Sequence, residues 1–150
     1  MPSAATSGWA DQRLASPPTL ESILVVDDNT EVLALTVDAL EAQGYTVLGT
    51  DDPCEALDLA RVATAPIHLL LTDIVMGAMN GRELADAARR LRPGMKVLFM
   101  SAYTERVAHD HEVRINPGEP FLVKPFTLTE LAGKVRQVLD RRSAFSRRPS

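Results

Sequence analysis

Five residues stand out for the chemistry they could share. Asp27 and Asp28 follow the apolar run Ile23-Leu24-Val25-Val26. Asp73 follows Ile67-His68-Leu69-Leu70-Leu71-Thr72. Ser101 follows Lys96-Val97-Leu98-Phe99-Met100, and Lys124 follows Phe121-Leu122-Val123. Carboxylates brought close together repel, and a divalent cation relieves that cost. A site of oxygen ligands only suits a hard ion. Mg²⁺ fits best, because it accepts one or two carboxylates and keeps waters. An ammonium and a hydroxyl beside such a cluster suit a phosphoryl group, with Lys124 supplying charge and Ser101 a hydrogen bond.

Residues this far apart in sequence meet only if the fold gathers them. Each apolar run reads as a strand, and helical patterns alternate with the strands from about Ser22 to Arg142. A first helix is expected from Thr30 to Gln43, with Leu33, Val37 and Leu40 on one face and Gly44 as its stop. Tyr45-Thr46-Val47-Leu48 reads as the second strand. Asp52-Pro53-Cys54-Glu55 opens a helix to about Ala63, with an N-cap and a proline in its first turn. Asn80-Gly81-Arg82-Glu83 and Thr127 with Glu130 are capping-box patterns. They open helices to about Leu91 and Arg142, the last with Leu128, Leu131, Val135, Val138 and Leu139 on its apolar side. The segment between Tyr103 and Glu119 has few apolar positions, so a fourth helix there is expected to be short or irregular.

Alternation of this kind predicts an α/β fold, a parallel sheet with helices on both faces. All strand carboxyl ends then lie along one edge, where ligands bind in such folds. Asp27, Asp28, Asp73, Ser101 and Lys124 all fall on that edge.

The bulk properties agree with one domain. The chain has 150 residues, 45% of them apolar. A net charge of -4 offers nucleic acid no broad attraction, so direct DNA binding is not expected. The one cysteine, Cys54, cannot form an internal disulfide, and ordinary packing is expected for it. No apolar stretch is long enough to span a membrane, and residues 1–20 do not read as a secretory signal. A cytoplasmic location is the expectation. Residues 1–20 are expected to form a disordered tail holding Trp9, residues 21–142 the domain, and residues 143–150 a basic tail.

Taken singly, each candidate has a plainer reading. Asp27-Asp28 could cap the first helix, Asp73 could be a turn aspartate, Ser101 a loop serine, and Lys124 a surface lysine. His68 reads as a strand residue on a sheet face, and His109 and His111 as surface residues without metal partners at suitable spacing.

In combination the segments resemble response-regulator receiver domains, over about Ser22 to Arg142. The carrying pieces are Ile23-Leu24-Val25-Val26-Asp27-Asp28, Leu71-Thr72-Asp73-Ile74-Val75-Met76, Met79-Asn80-Gly81, Phe99-Met100-Ser101-Ala102-Tyr103 and Lys124-Pro125-Phe126. The resemblance implies a flavodoxin-like doubly wound, five-stranded sheet of order 2-1-3-4-5. It implies that Asp73 is the phosphoacceptor. Asp28 and Asp73 would bind Mg²⁺ directly with the Val75 backbone carbonyl, and Asp27 through water. Lys124 would pair with the phosphoryl oxygens. Ser101 and Phe121 would form the switch pair. The bond before Pro125 can be cis, a rare feature elsewhere. Gly77 departs from the proline usual in the family after the Met76 position.

The expected activity is that of a phosphoacceptor signalling protein rather than an enzyme, although it assists its own phosphoryl transfer and dephosphorylation. Its partners would be a histidine kinase or histidine phosphotransfer protein and a downstream protein target, with homodimerisation compatible. The sequence opens on Met1 and leaves no room for an output domain, so a stand-alone receiver is expected. The alternatives are the terminal receiver of a hybrid sensor kinase, a phosphorylation-independent interaction module, and an aspartyl-nucleophile phosphatase. The last usually carries a second aspartate two residues after the first, where this chain has Val75.

Overall fold

The computed structural model describes residues 21–77, 79–102 and 119–141. Among the described residues there are five strands: β1 (Ser22–Val26), β2 (Thr46–Thr50), β3 (Leu69–Asp73), β4 (Lys96–Ala102) and β5 (Phe121–Lys124). Among the described residues the helices are α1 (Thr30–Ala42), α2 (Pro53–Val62), α3 (Gly81–Leu91) and α4 (Leu128–Asp140). The strands form one parallel sheet in the order β2-β1-β3-β4-β5.

Alternation along β1 explains why both faces are covered. Ile23 and Val25 belong to one core cluster, with Leu40 of α1 and Leu131, Val135, Val138 and Leu139 of α4. Leu24 and Val26 belong to the other, with Ala56 of α2 and Leu84, Ala85 and Ala88 of α3. Successive side chains of a strand point to opposite faces, so an uninterrupted apolar strand needs a helical layer on each side.

Local signals set most boundaries. Asn29 caps α1, accepting the backbone N–H groups of Glu31 and Val32, so neither Asp27 nor Asp28 is the cap. Gly44 ends that helix with φ near 100°, a conformation that favours glycine. Asp52 caps α2, while complete capping boxes open α3 (Asn80 with Glu83) and α4 (Thr127 with Glu130).

Four sequence expectations are corrected. The second strand runs over Thr46–Thr50, later than expected, because Gly49 and Thr50 continue the pairing with Val25 and Val26. His68 precedes β3 rather than lying in it, and its Nδ1 accepts the Ser22 N–H at 2.9 Å. Leu128 is 64% exposed, at the first position of α4. Cys54 is exposed on α2 rather than packed. The expectations for the segment between Tyr103 and Glu119, including His109 and His111, lie outside the described residues. So do those for Trp9 and for the two tails. None of the helices among the described residues is long and apolar enough to cross a membrane.

Arg92 ties two helices together. It follows α3, and its Nε donates to the Ala60 carbonyl at 2.7 Å, with Nη2 donating to that of Ala63. The last carbonyls of α2 lack intrahelical partners, and a cation there also suits the helix dipole. Arg92→Ala should therefore cost about 2 kcal/mol. Urea unfolding should show it as a lower midpoint with an unchanged slope.

Candidate functional site

The site begins where β1 stops. The Asp27 N–H donates to the Thr50 carbonyl at 3.3 Å, which ties the end of β1 to the end of β2. Asp27 Oδ1 accepts the Asn29 N–H at 2.9 Å, which turns the chain into α1. Asp27 is fully buried, and the next residue, Asp28, is exposed.

Asp73 is the last residue of β3 and is buried. Its Oδ1 accepts the Ile74 N–H at 3.1 Å, and Ile74 carries β3's connection on to the Met100 carbonyl at 3.0 Å. Ser101, fully buried, follows Met100 on β4. Lys124 ends β5 and pairs in register with Ala102. The Lys124–Pro125 peptide bond is cis.

These separate endings converge. Carboxylate oxygens of Asp27, Asp28 and Asp73 all lie within 4.8 Å of one another. Lys124 Nζ reaches across the ends of β4 and β3 to Asp27 Oδ2 at 2.8 Å, and lies 3.4 Å from Asp73 Oδ2. It is therefore nearer Asp27 than Asp73, a pairing the sequence does not announce. Burial works to lower the Lys124 pKa. The hydrogen bond to Asp27 and the charges of Asp73 and Asp27 outweigh it, and the net shift is upward from 10.5. The stability lent by the ammonium is thus present below the ordinary lysine range and lost only as pH rises through the raised value.

The donor set suits Mg²⁺. Carboxylates on Asp27, Asp28 and Asp73 carry a formal charge of -3 against +1 on Lys124. Hard oxygen donors with excess negative charge are what Mg²⁺ requires. Val75 lies two residues past Asp73, and its side chain packs against the core cluster on the α2 and α3 side. Phe121 packs against the same cluster, half-buried at the start of β5.

The sequence reading places Gly81 in a capping pattern and in one of the segments that carry the resemblance. The structure gives it a further part. A Cβ built there would sit 2.2 Å from the Asp73 carbonyl oxygen and 2.9 Å from Ile74 Cα. The Gly81 N–H donates to the Ile74 carbonyl at 2.7 Å. Only glycine lets α3 begin this close to the backbone of Asp73.

Comparison with known proteins matches residues 23–136 to the family model for the response regulator receiver domain. The response regulator receiver protein CpdR of Brucella abortus is 33% identical over 120 residues, covering 80% of this chain and 98% of that protein. The sensor kinase CckA of the same organism is 32% identical over 123 residues, which is 80% of this chain but 13% of the kinase. The chain spans about half the length of the transcriptional regulators it matches, 51% of PrrA from Mycobacterium leprae for example. Among solved structures, a CheY-like receiver domain protein from Methanospirillum hungatei superposes with a TM-score of 0.67 at 31% identity, covering 81% of this chain and 95% of that one. The receiver domain of the hybrid histidine kinase CckA gives 0.65 at 33%, covering 79% and 99%.

The crowded carboxylates generate a thermal prediction. Mg²⁺ should raise the Tm in proportion to the logarithm of its concentration once it exceeds the Kd. Asp28→Asn should raise the metal-free Tm by relieving repulsion, and should remove most of the Mg²⁺ response. Thermal unfolding of both proteins with and without Mg²⁺ checks this. A wild-type Tm indifferent to Mg²⁺ would contradict the metal assignment.

Proposed function

The chain belongs to the response regulator receiver domain family, and from that premise we propose that it accepts a phosphoryl group on Asp73 from a histidine kinase or histidine phosphotransfer protein, with Mg²⁺ present. The observation that carries this reading is the meeting of Asp27, Asp28 and Asp73 within 4.8 Å, with Lys124 Nζ 2.8 Å from Asp27 and 3.4 Å from Asp73.

In this reading Asp28, Asp73 and the Val75 carbonyl would hold the metal, with Asp27 assisting through water. When bound, Mg²⁺ neutralises charge that builds on the phosphoryl oxygens. The protein's own groups do the rest. An Asp73 carboxylate oxygen attacks phosphorus in line, and the P–N bond of the phosphohistidine donor breaks as the new P–O bond forms. Lys124 exchanges part of its pairing with Asp73 for the incoming phosphoryl oxygens. Ser101 donates its hydroxyl to one of them. Its position on β4 next to β5, together with Phe121 at the start of β5, would carry the change to the protein surface. The output is altered binding to another protein, on the surface near β4, α4 and the segment between β4 and β5.

The same chemistry would serve this chain by itself or as part of a longer protein, and its matches include both cases in length, 98% of CpdR and 13% of CckA.

Incubation with a small phosphodonor and Mg²⁺, followed by intact mass measurement, tests the acceptor. The wild type should gain one phosphoryl group and Asp73→Asn none. A gain that persists in the variant would move the acceptor elsewhere.

The lifetime of the phosphorylated state follows from Val75. Two residues past the acceptor it offers neither a carboxylate nor an amide to orient an attacking water. Tyr103, expected to flank the phosphoryl group from the other side, lies outside the described residues. Decay of the phosphorylated protein should be slow in the wild type and faster in Val75→Asn. Faster decay in the wild type would refute this.

A further inference from the structure

Arg82 occupies a position that the phosphoacceptor chemistry does not use. It follows Gly81, whose missing side chain lets α3 begin against the Asp73 backbone. Its guanidinium carbon lies 4.9 Å from the centre of the Phe99 ring. Its Nη2 pairs with Glu119 Oε1, and its Nη1 lies 3.7 Å from Asp86 of the same helix. Both members of the Arg82–Glu119 pair are largely covered, at 20% and 17% side-chain exposure.

The far end of this contact is what gives it meaning. Glu119 stands two residues before Phe121 and five before Lys124. Phe121 pairs in register with Phe99, the ring beneath the guanidinium. Phe99 also reaches back, its N–H donating to the Pro120 carbonyl at 3.4 Å. β5 has four residues and lies at the edge of the sheet, with β4 as its neighbour there. A short edge strand is the least firmly placed part of a sheet. A planar guanidinium held by a ring on one side and a carboxylate at its tip is a directional anchor, unlike a solvated surface pair.

We propose that Arg82 is a positioning residue that couples the phosphoacceptor loop to the strand carrying Phe121 and Lys124. Gly81 leaves α3 no slack against Asp73, and the Arg82–Glu119 pair then fixes the beginning of β5 against α3. The reach of Lys124 toward the phosphoryl position is set by the same contacts that hold Asp73. This inference rests on the phosphoacceptor reading of the site.

The test uses beryllofluoride, a phosphoryl mimic, titrated calorimetrically into the Mg²⁺-loaded protein. Arg82→Gln and Glu119→Gln should each weaken beryllofluoride binding by about 3- to 10-fold. The double variant should be no worse than either single one, because one pair is being broken. Mg²⁺ affinity without beryllofluoride should not fall in any of the three, since the carboxylates stand at the ends of β1 and β3 and loosening the Lys124 ammonium removes a cation that competes with the metal. Arg82→Lys keeps the charge but loses the planar fork, and should fall between wild type and Arg82→Gln. With Glu119→Gln it carries the test if Arg82→Gln does not fold. Unchanged beryllofluoride affinity, additive losses, or Mg²⁺ affinity falling in parallel would overturn the coupling. If the wild type binds no beryllofluoride, or Asp73→Asn binds it equally well, the phosphoacceptor reading itself fails and the coupling falls with it.

Discussion

Three carboxylates occupy one small volume at the carboxyl end of the sheet, and the Lys124 ammonium bridges two of them. At the outer limit of their 4.8 Å spacing, the buried Asp27 and Asp73 repel by about 3 kcal/mol at an effective dielectric of about 20. Such an arrangement persists only where the surrounding fold holds it. Here the fold does so with backbone hydrogen bonds beside the Lys124 ammonium. The ends of β1 and β2 are joined through Asp27 and Thr50, and the end of β3 is joined to β4 through Ile74 and Met100. Each acidic residue is delivered by a strand whose neighbours on both sides are fixed. The resulting site accommodates added positive charge better than it accommodates itself.

Sheet order turns this into a directional device. Asp27, Asp73, Ser101 and Lys124 come from four strands that are consecutive across the sheet, from β1 through β5. Lys124 alone must travel, and it does so from the edge strand to the strand one place from the opposite edge. The groups that would meet a phosphoryl oxygen therefore differ in how firmly they are seated. Asp27 directly follows one interior strand paired on both sides and Asp73 ends another, whereas Lys124 belongs to a short edge strand.

Much of this arrangement was legible in the sequence because strand carboxyl ends are marked by a change from apolar to polar residues. The runs before Asp27, Asp73, Ser101 and Lys124 each show that change, and parallel order then places them on one rim. The capping patterns at Asn80 and Thr127 were equally direct, because they are local. What stayed hidden depends on distance along the chain or on packing. The Thr46–Thr50 strand extends through a glycine that local propensity disfavours, and only its pairing with β1 keeps it extended. Leu128 fits an apolar helical period but is left exposed in the first turn of α4. The nearness of Lys124 to Asp27 spans 97 residues and that of Arg82 to Glu119 spans 37, and nothing in either neighbourhood signals the partner.

The opposite rim of the sheet tells a complementary story. Arg136 on α4 reaches Glu21, the residue before β1, at 2.9 Å, and it also holds Asp140 at the end of α4. The described domain therefore starts and finishes side by side, on the rim away from Asp73. A module whose two ends adjoin far from its working surface can be spliced before, after or between other folded units without shielding that surface or stretching its own sheet. Modularity of this kind is written into a single guanidinium spanning the seam.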